Sequence, residues 1–240
     1  MGLLTVVRHG QASFLAENYD RLSPVGERQA QRLGEYWVRR GVRFNRVYYG
    51  PRERQIRTGE IAAAVARGAG MEWPEAAVMA EFDEYPAEAV MRAFLPGLEE
   101  RDGQLRGWME QFRTREDVEG KRRAFEKALR EVTQRWMRGE VASAECGTWQ
   151  GFCSRVSRGI DRILGEADGK GRSVALFTSA GPAAATARKA LELSDQATLD
   201  LTWSPRNGSY SEFLFTAGRF SLSTFGNTPH LDSLDLLTYR

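Results

Sequence analysis

Hydrophobic and polar positions alternate along the chain between short apolar runs and stripes of helical spacing. Leu3-Leu4-Thr5-Val6-Val7 is β-branched and aliphatic, long enough for one buried strand and too short for a helix. Arg8-His9-Gly10 and a polar loop from Gln11 to Leu22 follow. Ser23-Pro24 has the chemistry of a helix N-cap with proline at the first helical position, Ala30, Leu33 and Trp37 supply the apolar stripe, and Gly41 ends it. Phe44 to Tyr49 reads as a second strand closed by Gly50-Pro51. A second helix is expected over about Glu53 to Ala66, with Ile56, Ala63 and Ala66 along one face, and a short third strand over Glu75 to Phe82.

From Asp83 to Glu145 the pattern changes. The stretch is rich in arginine and glutamate and lacks obvious strands, while Phe125, Leu129, Val132 and Trp136 recur at helical spacing. At least two amphipathic helices are expected there, as an insertion capping one side of the sheet. Trp149, Phe152, Val156, Ile160 and Ile163 mark a further helix, ended by an Asp168-Gly169 turn. Ser173 to Thr178 is the cleanest later strand and runs into Ser179-Ala180-Gly181-Pro182 and an alanine-rich helix to about Leu193. Ser209 to Thr216, a turn at Ala217-Gly218, and Phe220 to Phe225 form a hairpin pattern. Strands alternating with helices predict a three-layer α/β/α sandwich with a mainly parallel sheet. One domain over residues 1–240 is expected, with the helical insertion at about 83–145.

Composition narrows the partners. The 240 residues are 42% apolar, enough for a substantial core, and no run approaches the ~18 apolar residues of a membrane span. The early apolar stretch is itself the first strand, so no leader is expected. A net charge of +2 gives no reason to expect a nucleic-acid partner. Two cysteines and two histidines make neither a disulfide framework nor a Cys/His zinc site, so no metal or cofactor is expected and a reducing cytoplasm is the default. A homodimer is left open.

The candidate chemistry sits at the end of the first strand. In an open α/β sheet, ligands bind where strands end and loops begin. Arg8 offers a planar, always-charged fork for phosphate, and His9 can act as nucleophile, acid or base near neutral pH. Gly10 lets the backbone turn tightly or approach a ligand closely. Arg52, Arg54 and Arg57 cluster at the start of the second helix, where backbone N–H groups already attract anions. Together these features suggest phosphoryl chemistry.

These residues resemble the histidine phosphatase superfamily, also called phosphoglycerate mutase-like. The resemblance is carried by Arg8-His9-Gly10 after strand one, by Leu22-Ser23-Pro24-Val25-Gly26-Glu27-Arg28-Gln29-Ala30 as its first-helix signature, and by Gly50-Pro51-Arg52-Glu53-Arg54-Gln55-Ile56-Arg57-Thr58. It implies a phosphohistidine on His9, a phosphate grip by Arg8 and Arg54, and an acidic proton donor in Ala80-Glu81-Phe82-Asp83, with Glu81 the best match and Asp83 and Glu84 as neighbours. It implies a phosphomonoester hydrolase acting on a small phosphorylated substrate. A non-catalytic phosphate binder and a mutase-type phosphotransferase stand as alternatives. The family's strand ends in a second histidine, and here Ser179 occupies that position. A serine hydroxyl is one neutral donor, and one preorganised donor is worth ~2.7–4 kcal/mol in the transition state. Gln11 and Ala180 adjoin the site as further substrate-contacting candidates. His230, in the tail, is expected to bond a backbone carbonyl, with a role as substitute for the missing histidine as the less favoured reading.

Overall fold

The computed structural model describes residues 1–13, 20–166 and 172–239. The Asp168-Gly169 turn and much of the loop between Gln11 and Leu22 lie outside the described residues. The chain divides into two compact units, Met1–Glu84 with Arg155–Arg240, and Tyr85–Ser154.

The first unit carries a six-stranded sheet. Its strands are β1 (Gly2–Arg8), β2 (Arg46–Tyr49), β3 (Ala76–Val78), β4 (Ser173–Thr178), β5 (Tyr210–Thr216) and β6 (Arg219–Asn227), in the spatial order β3-β2-β4-β1-β5-β6. The four strands β3, β2, β4 and β1 run parallel, and β5 and β6 add an antiparallel hairpin. Side chains alternate across a strand, so each strand feeds both faces. On one face Val7, Val47, Tyr49, Ala175 and Phe177 pack with Leu33 and Trp37 of α1 (Pro24–Arg40) and Ala62 of α2 (Glu53–Gly68). On the other face Leu4, Val6, Tyr48, Val174 and Leu176 are buried as well. A parallel sheet buried on both faces is the middle of an α/β/α sandwich.

Local chemistry accounts for the boundaries. The Ser23 hydroxyl accepts the Gly26 N–H at 3.1 Å to cap α1, Pro24 takes the first helical position, and Gly41 closes the helix at φ 62°. The hairpin turns at Gly218, φ 75°. Three expectations are corrected. Strand β2 begins at Arg46, although Phe44 still joins the core. The third strand is confined to Ala76–Val78, and Ala80–Phe82 winds into a 3-10 turn because Phe82 folds inward and is fully buried. The alanine-rich helix α7 stops at Leu191, where Glu192 takes a left-handed conformation. Helix α8 (Asp195–Leu201), capped by Ser194, was not anticipated.

The second unit is helical, with α3 (Ala87–Arg101), α4 (Gly103–Thr114), α5 (Val118–Met137) and the first residues of α6 (Trp149–Glu166). Asp102 caps α4 through Gln104 N–H at 3.0 Å and Leu105 N–H at 3.1 Å, and Asp117 caps α5 through Gly120 N–H at 2.6 Å. Leu105, Val132, Trp136 and Trp149 are fully or nearly fully buried, and Tyr85 stacks on Trp136. The arginine and glutamate content resolves into exposed pairs such as Arg113–Glu99 and Arg123–Glu119, a solvated helix surface. Among the described residues no helix is long and apolar enough to cross a membrane.

Candidate functional site

The end of β1 is shaped first by two glycines. A Cβ on Gly10 would stand 2.4 Å from the Gly26 carbonyl oxygen, and one on Gly26 would stand 2.2 Å from that of Gln11. Close passage of the loop over the start of α1 is therefore what Gly10 permits, in place of a left-handed turn. The passage is held by the Gly10 N–H on Thr58 Oγ1 at 3.1 Å, and Thr58 in turn donates to the Arg54 carbonyl at 2.7 Å. The α2 residue Arg54 is thereby tied to the same turn as His9.

His9 is buried, and its ring has a defined orientation. Arg54 Nε–H donates to His9 Nε2 at 3.1 Å, which requires a lone pair there. The ring proton then belongs on Nδ1, 2.6 Å from the Gly10 carbonyl oxygen that accepts it. The backbone is fixed from both sides, by His9 N–H on Thr178 O at 2.8 Å and Gly208 N–H on His9 O at 3.0 Å. A neutral imidazole with its Nε2 lone pair beside a guanidinium is the arrangement that in-line attack on phosphorus needs.

Arg54 is buried with its charge countered by Asp20, whose Oδ1 accepts Nη1–H at 2.6 Å. The other carboxylate oxygen of Asp20 accepts the Glu53 N–H at 2.8 Å, so one side chain caps α2 and holds Arg54. Arg57, one turn further along, is exposed and lies 3.6 Å from Glu27 and 3.7 Å from Glu60. Arg52 pairs with Asp83 at 2.5 Å. The three clustered arginines thus divide, and Arg54 alone of the three contacts the His9 ring in the described hydrogen bonds.

Arg8 is buried, and its guanidinium donates to the Pro205 carbonyl and, at 2.8 Å, to the Tyr239 carbonyl. The tail that brings Tyr239 there is held by Gln29, whose Nε2 donates to Leu236 O at 2.7 Å and Thr238 Oγ1 at 2.9 Å. The same Gln29 accepts the Gln11 N–H at 2.8 Å, and the Gln11 side chain accepts from Ser23 Oγ at 2.9 Å. Gln11 therefore ties the loop to α1.

Ser179 ends β4 and is fully buried, with its hydroxyl oxygen accepting Gln55 Nε2–H at 2.7 Å. Gln55 also reaches Phe82 O at 3.3 Å and accepts the Arg52 N–H at 3.1 Å. The hydroxyl offered by sequence to a phosphoryl oxygen is turned toward Gln55. Ala180 is buried as the first residue of α7 (Ala180–Leu191).

The acidic segment differs most from expectation. Glu81 lies 3.5 Å from Arg162 of α6, and its Cβ backs onto Gly159 of that helix. Glu84 accepts the Gly181 N–H at 3.2 Å, at the start of α7 two residues beyond Ser179. A helix N-terminus draws anionic groups to it. Glu84 thus stands at the start of α7 and Glu81 beside Arg162, and both remain candidates for the proton donor.

His230 bonds a backbone carbonyl, as expected, with Nε2 3.0 Å from Gly208 O and its ring stacked on Tyr210. Burial pushes its pKa down to about 4, against the opposing influence of the Gly208 carbonyl and Asp232. It braces the loop whose Gly208 N–H holds His9 O. Asp20, Gln55 and Gln29 were the residues missed as site candidates. Their partners lie far off in sequence, whereas Glu84 had its place beside the acidic match as a signal.

A family model described as the histidine phosphatase superfamily (branch 1) matches residues 4–90 and 92–228. No curated protein matches the sequence. Among solved structures, YhfR of Bacillus stearothermophilus is 15% identical with a TM-score of 0.64, covering 96% of this chain and 99% of that one. Phosphoserine phosphatase of Entamoeba histolytica, solved with 3-phosphoglyceric acid, is 15% identical with a TM-score of 0.62, covering 96% and 100%. Phosphoglycerate mutase of Bacillus anthracis is 15% identical with a TM-score of 0.59, covering 95% and 94%. At these identities the structures speak for the fold, a phosphoglycerate mutase-like sandwich, while the family model spans nearly all of the sequence. The chain belongs to the histidine phosphatase superfamily, branch 1.

Proposed function

We propose that this protein hydrolyses a small phosphomonoester through a phosphohistidine on His9. The observation that carries the reading is the His9 ring, with Nδ1–H on the Gly10 carbonyl and the Nε2 lone pair facing Arg54. Phosphate enters between His9 and Arg54, exchanging their mutual hydrogen bond for charge-assisted bonds from the guanidinium to phosphoryl oxygens. Asp20 yields part of its hold on Arg54 to the incoming anion. Arg8, anchored by the Pro205 and Tyr239 carbonyls, contributes the second positive charge at the strand end. Nε2 attacks phosphorus, the bond to the leaving oxygen breaks, and the Glu84 carboxyl gives that oxygen its proton. Glu84, now a carboxylate, takes a proton from the water that cleaves the phosphohistidine, which returns neutral His9, inorganic phosphate and protonated Glu84.

The activities named for phosphatase and mutase neighbours are consistent with this class of chemistry. Burial of Ser179 against Gln55 favours one second reading, a relative that binds phosphate esters without cleaving them. A panel of phosphorylated metabolites, assayed for released phosphate beside His9→Ala, tests the choice. Release that disappears in a folded His9→Ala protein is expected. Release that persists in His9→Ala contradicts the mechanism. A phosphate-dependent rise in Tm without release marks the binder.

A further inference from the structure

Arg155, in the second turn of α6, closes its guanidinium on the backbone that carries the acidic residues. Nη1 donates to the carbonyls of Ala80 and Glu81, each at 2.9 Å. Nη2 donates to Asp83 O at 3.0 Å and reaches Glu84 O at 3.5 Å. The carbonyl between them, Phe82 O, takes Thr178 Oγ1 at 2.9 Å and Gln55 Nε2 at 3.3 Å. Each carbonyl from 80 to 84 is thus held from a fixed direction. Only arginine combines a permanent charge with a planar fork that can serve several acceptors at once.

The close fit of α6 on this turn is a second, independent observation. Gly159 lies one helical turn beyond Arg155, and a Cβ there would stand 2.7 Å from Glu81 Cβ and 2.8 Å from Phe82 Cζ. The helix backbone rests directly on the turn. The Asp83 side chain is fixed from the other direction by Arg52. With the backbone clamped this way, the Glu84 carboxylate is carried to the Gly181 N–H. Desolvation lowers the pKa of Arg155 against the opposing charges of Asp83, Glu84 and Glu81. An arginine nonetheless stays charged at any working pH.

We propose that Arg155 is a positioning residue for proton transfer: through the backbone of residues 80–84 it sets where the Glu84 carboxyl stands relative to the start of α7. The inference rests on the reading of Glu84 as the acid. Arg155 touches no substrate in this scheme and acts only through Glu84.

The test compares kcat/KM for two aryl phosphates, phenyl phosphate, whose strongly basic leaving group needs a proton, and dinitrophenyl phosphate, whose leaving group does not. In Glu84→Gln the phenyl-to-dinitrophenyl ratio should fall by about 10²–10⁴, the scale of general acid catalysis. In Arg155→Met it should fall by roughly 10- to 100-fold, because the acid is displaced and not removed. Arg155→Lys, which keeps a charge and some donors, should recover part of the ratio. The ratio is taken within one protein, so partial misfolding does not alter it. A uniform loss on both substrates, with an unchanged ratio in Arg155→Met, overturns the proposal while leaving Glu84 as the acid. An unchanged ratio in Glu84→Gln overturns the acid assignment instead. A second readout needs no turnover: amide exchange at Gly181 should quicken in Arg155→Met, as it should in Glu84→Ala. Retained protection in Arg155→Met, with protection lost in Glu84→Ala, overturns the proposal.

Discussion

Replacing Arg54 with lysine keeps one positive charge and removes the fork that places it. In the structure Nε–H meets His9 Nε2 at 3.1 Å while Nη1–H meets Asp20 Oδ1 at 2.6 Å, two acceptors served by two nitrogens of one plane. A lysine ammonium is a point charge on a flexible stem, and held by Asp20 it leaves the His9 side of the pocket without a directed donor. The loss of one preorganised donor amounts to ~2.7–4 kcal/mol in the transition state, or about 10²–10³ in rate. The cost to folding is smaller. The His9 contact is a net ~1 kcal/mol hydrogen bond, and the Asp20 pair, on its part-exposed side, adds up to about 1 kcal/mol. For a chain of this size roughly 2 kcal/mol corresponds to about 4–8 °C in Tm. Arg54→Lys should therefore fold, melt a few degrees lower, and lose about 10²–10³ in kcat/KM for an aryl phosphate. Arg57→Ala, on the exposed side of the same helix turn, is the control and should keep wild-type turnover. An Arg54→Lys protein within threefold of wild-type kcat/KM would refute the role given to the Arg54–His9 contact.

Two further outcomes follow from side chains near the site. Ser179→His inserts a ring where a fully buried hydroxyl now meets Gln55, so overpacking of ~1–3 kcal/mol should lower Tm without raising turnover; a stable, faster variant would show instead that room for an imidazole exists beside the phosphate. His230 titrates at about 4 in the fold against 6.5 when unperturbed. The unfolded chain thus takes a proton that the folded one refuses, and stability present above pH 6.5 is lost as pH falls toward 4, about 3 kcal/mol in all. Chemical denaturation across that window should show the loss in wild type and a smaller one in His230→Gln, which keeps a donor for Gly208 O; equal slopes would contradict the assignment.

What could be read from sequence was what depends on near neighbours. The apolar run before Arg8, the Ser23-Pro24 helix start, the Gly41 stop and the Ala217-Gly218 hairpin are local signals, and all four appear where expected. The Nδ1–H contact of His9 with a backbone carbonyl is similarly short in range, one residue away. The misses share a different cause. Asp20 meets Arg54 across 34 residues, Gln55 meets Ser179 across 124, and Arg8 meets Tyr239 across 231. No periodicity encodes such meetings. The acidic segment shows how a small local change matters. Once Phe82 turns inward and winds its neighbours into a 3-10 turn, Glu81 faces Arg162 while Glu84 reaches α7. The motif alone put Glu81 first and Glu84 beside it, because a strand continued through residue 82 does not show where either carboxyl goes.

The central claim is that His9 Nε2 carries the phosphoryl group, and rapid acid-free quenching during turnover of an aryl phosphate, followed by peptide mass spectrometry, tests it most directly. One phosphoryl group on the peptide containing His9, acid-labile and absent from His9→Ala, is the expected result. Steady turnover with His9 never modified, or a phosphoryl group on another residue that persists in His9→Ala, would contradict it.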